Sequence, residues 1–246
     1  GFQANSLDKV TISVEGDLVL DNLIEASELI DLKVSGSLDA SRFSLKVVDA
    51  DGSIALETGD SLLFTQDSLM QGDSLRLISS AGDVVLSGEL LGLAGGVAKS
   101  IEAEAAGTLS LVSKAKANQK VSLRAGGFLV LGDSSEVVAS GVSSRIEALA
   151  GKDATFGGVV SGSDEVILIA ADDAIVSGRI SSSGRLVLKA GQNATRSGSV
   201  LGESDGELAG KVVEIATGSS EGELLMAEQL LVADDLSILA SGSVKA

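Results

Sequence analysis

A short pattern of alternating apolar residues recurs through most of this 246-residue chain, at intervals of about 20 residues. In the stretch that begins at Val166, every second residue is apolar, a small polar turn follows, and a second short alternating run comes after it. The same layout begins again at Leu186. Strict alternation indicates β-strands rather than helices, and a fixed period indicates one structural unit that is stacked many times.

The copies share a glycine that stands five or six residues after the first apolar residue. Copies of this kind begin at Val10, Ile30, Ile101, Val121, Ile146, Leu186, Val213 and Leu236, with looser ones at Leu45 and Leu75. Three segments depart from the period, namely residues 45–74, 88–100 and 201–211. Extra residues in one repeat map to outward loops, which are the best places for a function added to the scaffold.

These observations predict an all-β fold, a parallel β-helix in which about eleven coils of about 20 residues stack along one axis. Strands of successive coils would pair at about 4.8 Å, which gives a rod on the order of 50 Å long. Residues 1–246 are expected to form a single rod that is a segment of a longer chain or a repeating unit of a fibre. Glycine at the corners is expected because it accepts positive φ.

The composition fits such an interior. Hydrophobic residues make up 44% of the chain, but aromatic residues only 2%, all of them Phe. Inward positions that stack in columns suit small aliphatic side chains. The chain has no Pro, which would remove one ladder hydrogen bond from each coil in which it occurred.

Charge and residue usage exclude several kinds of partner. The formal net charge of −17 disfavours nucleic acid and anionic membrane surfaces. No apolar run reaches the roughly 18 residues that span a bilayer, so we expect no membrane insertion. The absence of Cys excludes disulfides and thiolate metal sites.

Paired carboxylates are the only candidates for catalysis. They are Asp164 with Glu165, Asp172 with Asp173, and Asp234 with Asp235. Such pairs can act as acid and base when their pKa values differ, but these are sequence neighbours at turns, where polar residues are ordinary. With no His, Tyr or Trp, the usual general base and sugar-stacking residues are missing. We therefore expect no enzyme activity and no cofactor.

Two further motifs are weak. The segment from Asp49 through Asp51 to Gly52 has carboxylates at alternate positions before a glycine, as a calcium loop does, but it lacks the later ligands. An exposed turn is the stronger interpretation, and we assign no metal. Asn193 begins a glycosylation sequon with Thr195.

One outward-facing group of residues is apolar. If Val166, Leu168 and Ala170 point inward, Ile167 and Ile169 point outward. Leu149 and Val187 stand at matching positions in neighbouring coils and would extend the group. An exposed apolar stripe often marks an interface, so Leu149, Ile167, Ile169 and Val187 are predicted to form a lateral contact between rods. A return loop that covers them is the alternative.

The pattern apolar-x-apolar-x-Ala-Gly, followed by Gly-x-apolar-x-apolar, resembles the repeats of the filamentous haemagglutinin family, the exoproteins of bacterial two-partner secretion. Residues 121–131, 146–162 and 186–199 carry the resemblance, which covers most of the chain. It implies a right-handed parallel β-helix, secretion across an outer membrane, and long rods with few cysteines. Some family members are glycosylated at sequons. The Asn-Pro motifs of the family's secretion domain are absent, so the resemblance is to the rod.

Together these points predict a secreted structural rod of a bacterial surface adhesin or extracellular filament, at the cell surface of a Gram-negative-type bacterium. Its expected partners are other copies of itself, through lateral or end-to-end contacts, or a receptor on a host or neighbouring cell. Two alternatives stay open: a β-helical carbohydrate-active enzyme, and a cytoplasmic β-helical cytoskeletal polymer.

Overall fold

The computed structural model describes residues 7–41, 43–93, 96–191, 200–202, 207–217, 224–225, 229–240 and 244–245. These residues form 28 strands, β1 to β28, and the described part of the chain is nearly all β. Each coil contributes strands to three faces, which we call faces A, B and C.

The strands divide among the faces as follows. Face A holds β1 (Lys9–Val14), β4 (Leu29–Val34), β7 (Ser53–Thr58), β10 (Ser74–Ser79), β13 (Ala98–Ala105), β18 (Arg145–Ala150) and β21 (Glu165–Ala170). Face B holds β2 (Leu18–Val19), β5 (Leu38–Ala40), β8 (Leu62–Phe64), β11 (Val84–Leu86), β14 (Leu109–Leu111), β16 (Leu129–Leu131), β19 (Ala154–Phe156), β22 (Ala174–Val176), β24 (Val200–Gly202), β26 (Leu224–Leu225) and β28 (Val244–Lys245). Face C holds β3 (Leu23–Ala26), β6 (Ser44–Val47), β9 (Leu69–Gln71), β12 (Glu89–Leu91), β17 (Glu136–Ala139) and β20 (Val159–Gly162).

Four long strands run from face C into face A of the next coil: β15 (Lys114–Ala125), β23 (Arg179–Ala190), β25 (Glu207–Thr217) and β27 (Gln229–Ala240). Faces A and C therefore belong to one sheet of 17 strands, whereas face B is a separate sheet of 11 strands.

Strand pairing confirms the parallel β-solenoid that the repeat predicts. Each strand pairs in parallel with its equivalent in the next coil, as Ile146 does with Val121 on one side and with Val166 on the other. Successive coils are about 21 residues apart. About eight turns are described with their side chains, slightly fewer than the predicted eleven, and backbone strands extend the face B sheet to 11 strands.

Alternation along each strand separates the core from the surface. In β21, Val166, Leu168 and Ala170 are fully buried, while Ile167 and Ile169 between them are half-buried. Inward residues of successive coils stack in columns; one column contains Ile30, Ile54, Leu75, Ile101, Val121, Ile146, Val166 and Leu186. Each column repeats one position at the strand spacing, so aliphatic side chains of similar size fill it at close-packed density.

Corner glycines serve close packing between coils more often than unusual backbone angles. Among the described glycines, positive φ occurs only at Gly16, Gly158 and Gly191. The prediction that the corners use glycine for its positive φ is therefore wrong at most corners. At Gly126, a β-carbon would lie 2.3 Å from the carbonyl oxygen of Ala106 in the preceding coil. The spacing of the coils thus leaves no room there for a side chain.

The segments that break the period have different outcomes. Residues 45–74 include the complete strands β7, β8 and β9 and form an ordinary coil. Residues 88–100 contain β12 and then a loop in which the Gly92 N–H donates to the Gly96 carbonyl at 2.8 Å. Residues 201–211 lie partly outside the described residues. A further outward turn precedes β18, and its Val142 side chain is 97% exposed.

Candidate interaction surfaces

The four apolar residues that the sequence singles out come together on face A. Ile167 pairs in register with Val187, and Ile169 pairs with Leu149. Leu149, Ile167 and Ile169 are half-buried, but Val187 is only 3% exposed. Val187 lies in β23 and pairs with Ile167 of β21 and with Glu214 of β25. The expected exposure is therefore wrong for Val187, and the role of the group as a lateral contact stays a prediction.

An ion-pair ladder crosses four coils beside these residues. Arg124 donates to Glu147 at 2.8 Å, and Arg145 contacts Glu147 at 3.2 Å and Glu165 at 3.1 Å. Arg185 contacts Glu165 at 3.1 Å. Opposite charges on neighbouring strands stabilise a sheet and fix its register. Each exposed pair contributes at most about 1 kcal/mol, so the effect comes from the whole ladder.

A second ladder on face A has the same construction. Glu57 lies between Lys33 and Arg76, at N···O distances of 3.5 and 2.6 Å, and Arg76 continues to Glu102 at 3.3 Å. On face C, Glu136 pairs with Lys116 at 2.6 Å. The outer sides of faces A and C are therefore charged but locally balanced.

The ladders shift the pKa values of their carboxylates. A hydrogen bond from Arg76, assisted by the charge of Lys33, lowers the pKa of Glu57, and Lys116 does the same for Glu136. Burial alone would raise the pKa of Glu147, but the hydrogen bond and charge of Arg124, together with Arg145, bring it below its ordinary value. These carboxylates stay ionised to a lower pH in the folded chain than in the unfolded chain.

Acid is therefore expected to weaken the fold through the ladders. A carboxylate with a lowered pKa contributes stability above its unfolded pKa, about 4.3 for Glu, and this stability disappears as the pH falls through the folded value. Glu147→Gln should lose about 1 kcal/mol at pH 7. Thermal melts followed by circular dichroism at pH 7 to 2.5 should show the wild type and the variant converging below about pH 4. A gap that stays constant across this range would contradict the prediction.

The carboxylate pairs do not converge on a common site. Glu165 belongs to the ion-pair ladder, whereas the neighbouring Asp164 is exposed and its carbonyl accepts a hydrogen bond from Ser182 at 2.9 Å. Asp172 is 5% exposed, while Asp234 and Asp235 are exposed. Asp51 lies at the exposed turn and contacts Lys99 at 3.4 Å. Within the described residues, no three Asp or Glu side chains are grouped as a metal would need.

Several aspartates at the corner between faces A and B have a structural task that sequence reasoning missed. The carboxylates of Asp17, Asp83 and Asp153 each accept a backbone N–H from the next coil, at 2.8, 2.6 and 3.0 Å. Some of the acidic residues of the chain therefore serve to hold neighbouring coils together. The spacing from Asp17 to its partner Ser37, one coil along, could have indicated this arrangement.

Two other sequence-based predictions concern the Asn193 sequon and contact between the ends of rods. Asn193 lies outside the described residues, so its glycosylation stays a prediction. In the first coil, Val10, Ile12, Leu20 and Ile24 are only partly buried, but nothing here tests the predicted end-to-end contact. That contact also stays a prediction.

No family model, curated protein or solved structure matches the chain. In the described part of the chain, no helix is long and apolar enough to cross a membrane.

Proposed function

We propose that this chain is a structural rod whose task is reach and stiffness. The observation that supports this function is the unbroken stacking of in-register strands. On face A one column of paired outward positions runs through Thr11, Asp31, Ala55, Arg76, Glu102, Ser122, Glu147 and Ile167. A repetitive core that every coil shares resists bending, because each coil contacts its neighbours over all three faces.

The setting that we propose for the rod is a secreted adhesin or extracellular filament at a bacterial surface. The likeness of the repeats at residues 121–131 and 146–162 to filamentous haemagglutinins supports it. Catalysis is not part of the proposal, because the three carboxylate pairs do not converge: Glu165 belongs to an ion-pair ladder, and Asp234 and Asp235 are exposed on strand β27. The partner of the rod would be another copy or a receptor on a neighbouring cell.

Electron–electron distance measurements on spin labels test the rod directly. Labels at Thr11→Cys and Ile167→Cys are separated by seven coil steps, which corresponds to about 34 Å. A single narrow distance near this value is expected for a stiff rod. A broad distribution, or a mean below about 25 Å, would contradict the proposed function.

The proposed location needs a separate test. Antibodies against the folded chain should label unbroken source cells, with labelling that disappears after external protease treatment. Labelling that appears only after the cells are broken would reject secretion and favour the cytoplasmic polymer.

A further inference from the structure

Face B differs from the other two faces in carrying almost no charge. The six strands from β8 to β22 read LLF, VVL, LSL, LVL, ATF and AIV, without one charged residue. The strands of faces A and C, by contrast, carry the ion-pair ladders. In a chain with a net charge of −17, an uncharged face needs an explanation.

The outward side chains of face B form an uncharged and mostly apolar column. It contains Leu63, Val85, Ser110, Val130, Thr155 and Ile175, which pair in register from coil to coil and are half-buried. Phe128 and Val112, at the two margins of the same face, are each 42% exposed. The margins are charged: Asp60, Asp83 and Asp133 are exposed beside β8, β11 and β16, and Lys152 Nζ lies 5.1 Å from the centre of the Phe128 ring. The uncharged surface is therefore confined to the strands themselves.

We propose that face B is the surface through which two copies of this chain associate side by side. Two rods with the same large negative charge repel each other, and contact between them requires a surface on which acids do not oppose acids. The strands of face B from β8 to β22 meet this condition because they carry no acid at all, whereas on faces A and C each carboxylate would need a cation opposite it. Flat sheets with apolar outward side chains pack face to face at about 10 Å.

The uncharged part of face B has the size of a weak contact. Its six strands, β8 to β22, extend about 29 Å along the rod at about 4.8 Å per strand. With a width of about 15 Å, they offer on the order of 430 Å² per copy, at the low end of specific interfaces, so we expect a weak and reversible contact. Because the contact is mostly apolar, it should strengthen as salt screens the repulsion between the two acidic rods.

Sedimentation equilibrium of the whole chain between about 1 µM and 1 mM, a range that covers weak and ordinary specific contacts, tests this contact. Val85→Lys with Val130→Lys places two cations in the column. The matched control, Leu91→Lys with Val138→Lys, changes two half-buried outward residues of the same two coils on face C. We expect the wild type and the control to dimerise with similar Kd, and the face B variant at least tenfold more weakly, a loss of about 1.4 kcal/mol or more.

Three results would overturn the proposal. They are a wild type that stays monomeric throughout, equal weakening in the two variants, and a wild-type dimer that dissociates as NaCl rises. If Ile167→Lys with Ile169→Lys dissociates the dimer and the face B variant does not, the contact lies on face A and the proposal is also overturned. Circular dichroism confirms that each variant is folded. If the lysine variant unfolds, Val130→Cys and Val138→Cys replace it, and only Val130→Cys should form disulfide-linked dimers. If the wild type is monomeric but keeps the spin-label distance of about 34 Å, the face B contact is rejected and the proposed rod is not.

Discussion

Replacing Leu168 by Asp is expected to cost more than about 4 kcal/mol of unfolding free energy. Leu168 is fully buried in β21, and an aspartate there would place a charge in an aliphatic column without a partner. The defect also reaches the neighbouring coils, because each coil of a solenoid is stabilised by the next. Urea unfolding followed by circular dichroism measures the loss, since the chain has neither Trp nor Tyr.

The control for this variant is the next residue along the strand. Ile169 is outward and half-buried, so Ile169→Asp should cost only about 1–2 kcal/mol. A difference this large between adjacent residues is specific to a strand with one buried face. Similar losses in the two variants would show that β21 is not oriented as described.

Replacing Gly126 by Ala is expected to cost about 2–3 kcal/mol, although it adds only a methyl group. The new β-carbon would lie 2.3 Å from the backbone oxygen of Ala106. This oxygen cannot move away without shifting the whole coil. Gly72→Ala is the control, because the nearest atoms there are side-chain carbons at 3.3 Å, and it should cost about 1 kcal/mol or less. If Gly126→Ala has the same melting temperature as the wild type, the coils are not spaced as closely as described.

The strands and the core could be predicted from the sequence because both depend on local alternation. The position of Leu168 between Val166 and Ala170 is enough to place it inside. The need for glycine at position 126 could not be predicted in the same way, because a side chain there would clash with an atom of another coil. Backbone angles follow from neighbours in sequence, whereas the clash with Ala106 follows from the stacking distance.

The ion-pair ladders were missed for a related reason. Arg76 contacts Glu57, which is 19 residues before it, and Glu102, which is 26 residues after it. Because the coils differ in length, the sequence separation between partners is not constant, and such pairs cannot be predicted until the strand register is known. Val187 shows the same limit, since alternation gives the direction of a side chain but not what surrounds it. The uncharged strands of face B are visible in the sequence, but only after the three faces have been separated.

The measurement that tests the account most directly is a disulfide between adjacent coils. The chain has no Cys, so introduced pairs report only on their own separation. On face C, Ser181 pairs in register with Ser161, and their hydroxyl oxygens are 3.2 Å apart. Val138 pairs with Ser161 from the other side and is therefore two coils from Ser181.

Under mild oxidation, we expect Ser161→Cys with Ser181→Cys to form an intramolecular disulfide nearly completely. Val138→Cys with Ser181→Cys should remain reduced, because two strand spacings are about 9.6 Å, beyond the reach of a disulfide. Non-reducing gel mobility and intact mass distinguish the two results. Equal cross-linking of both pairs, or none in the first, would contradict the solenoid and the rod that we propose on it.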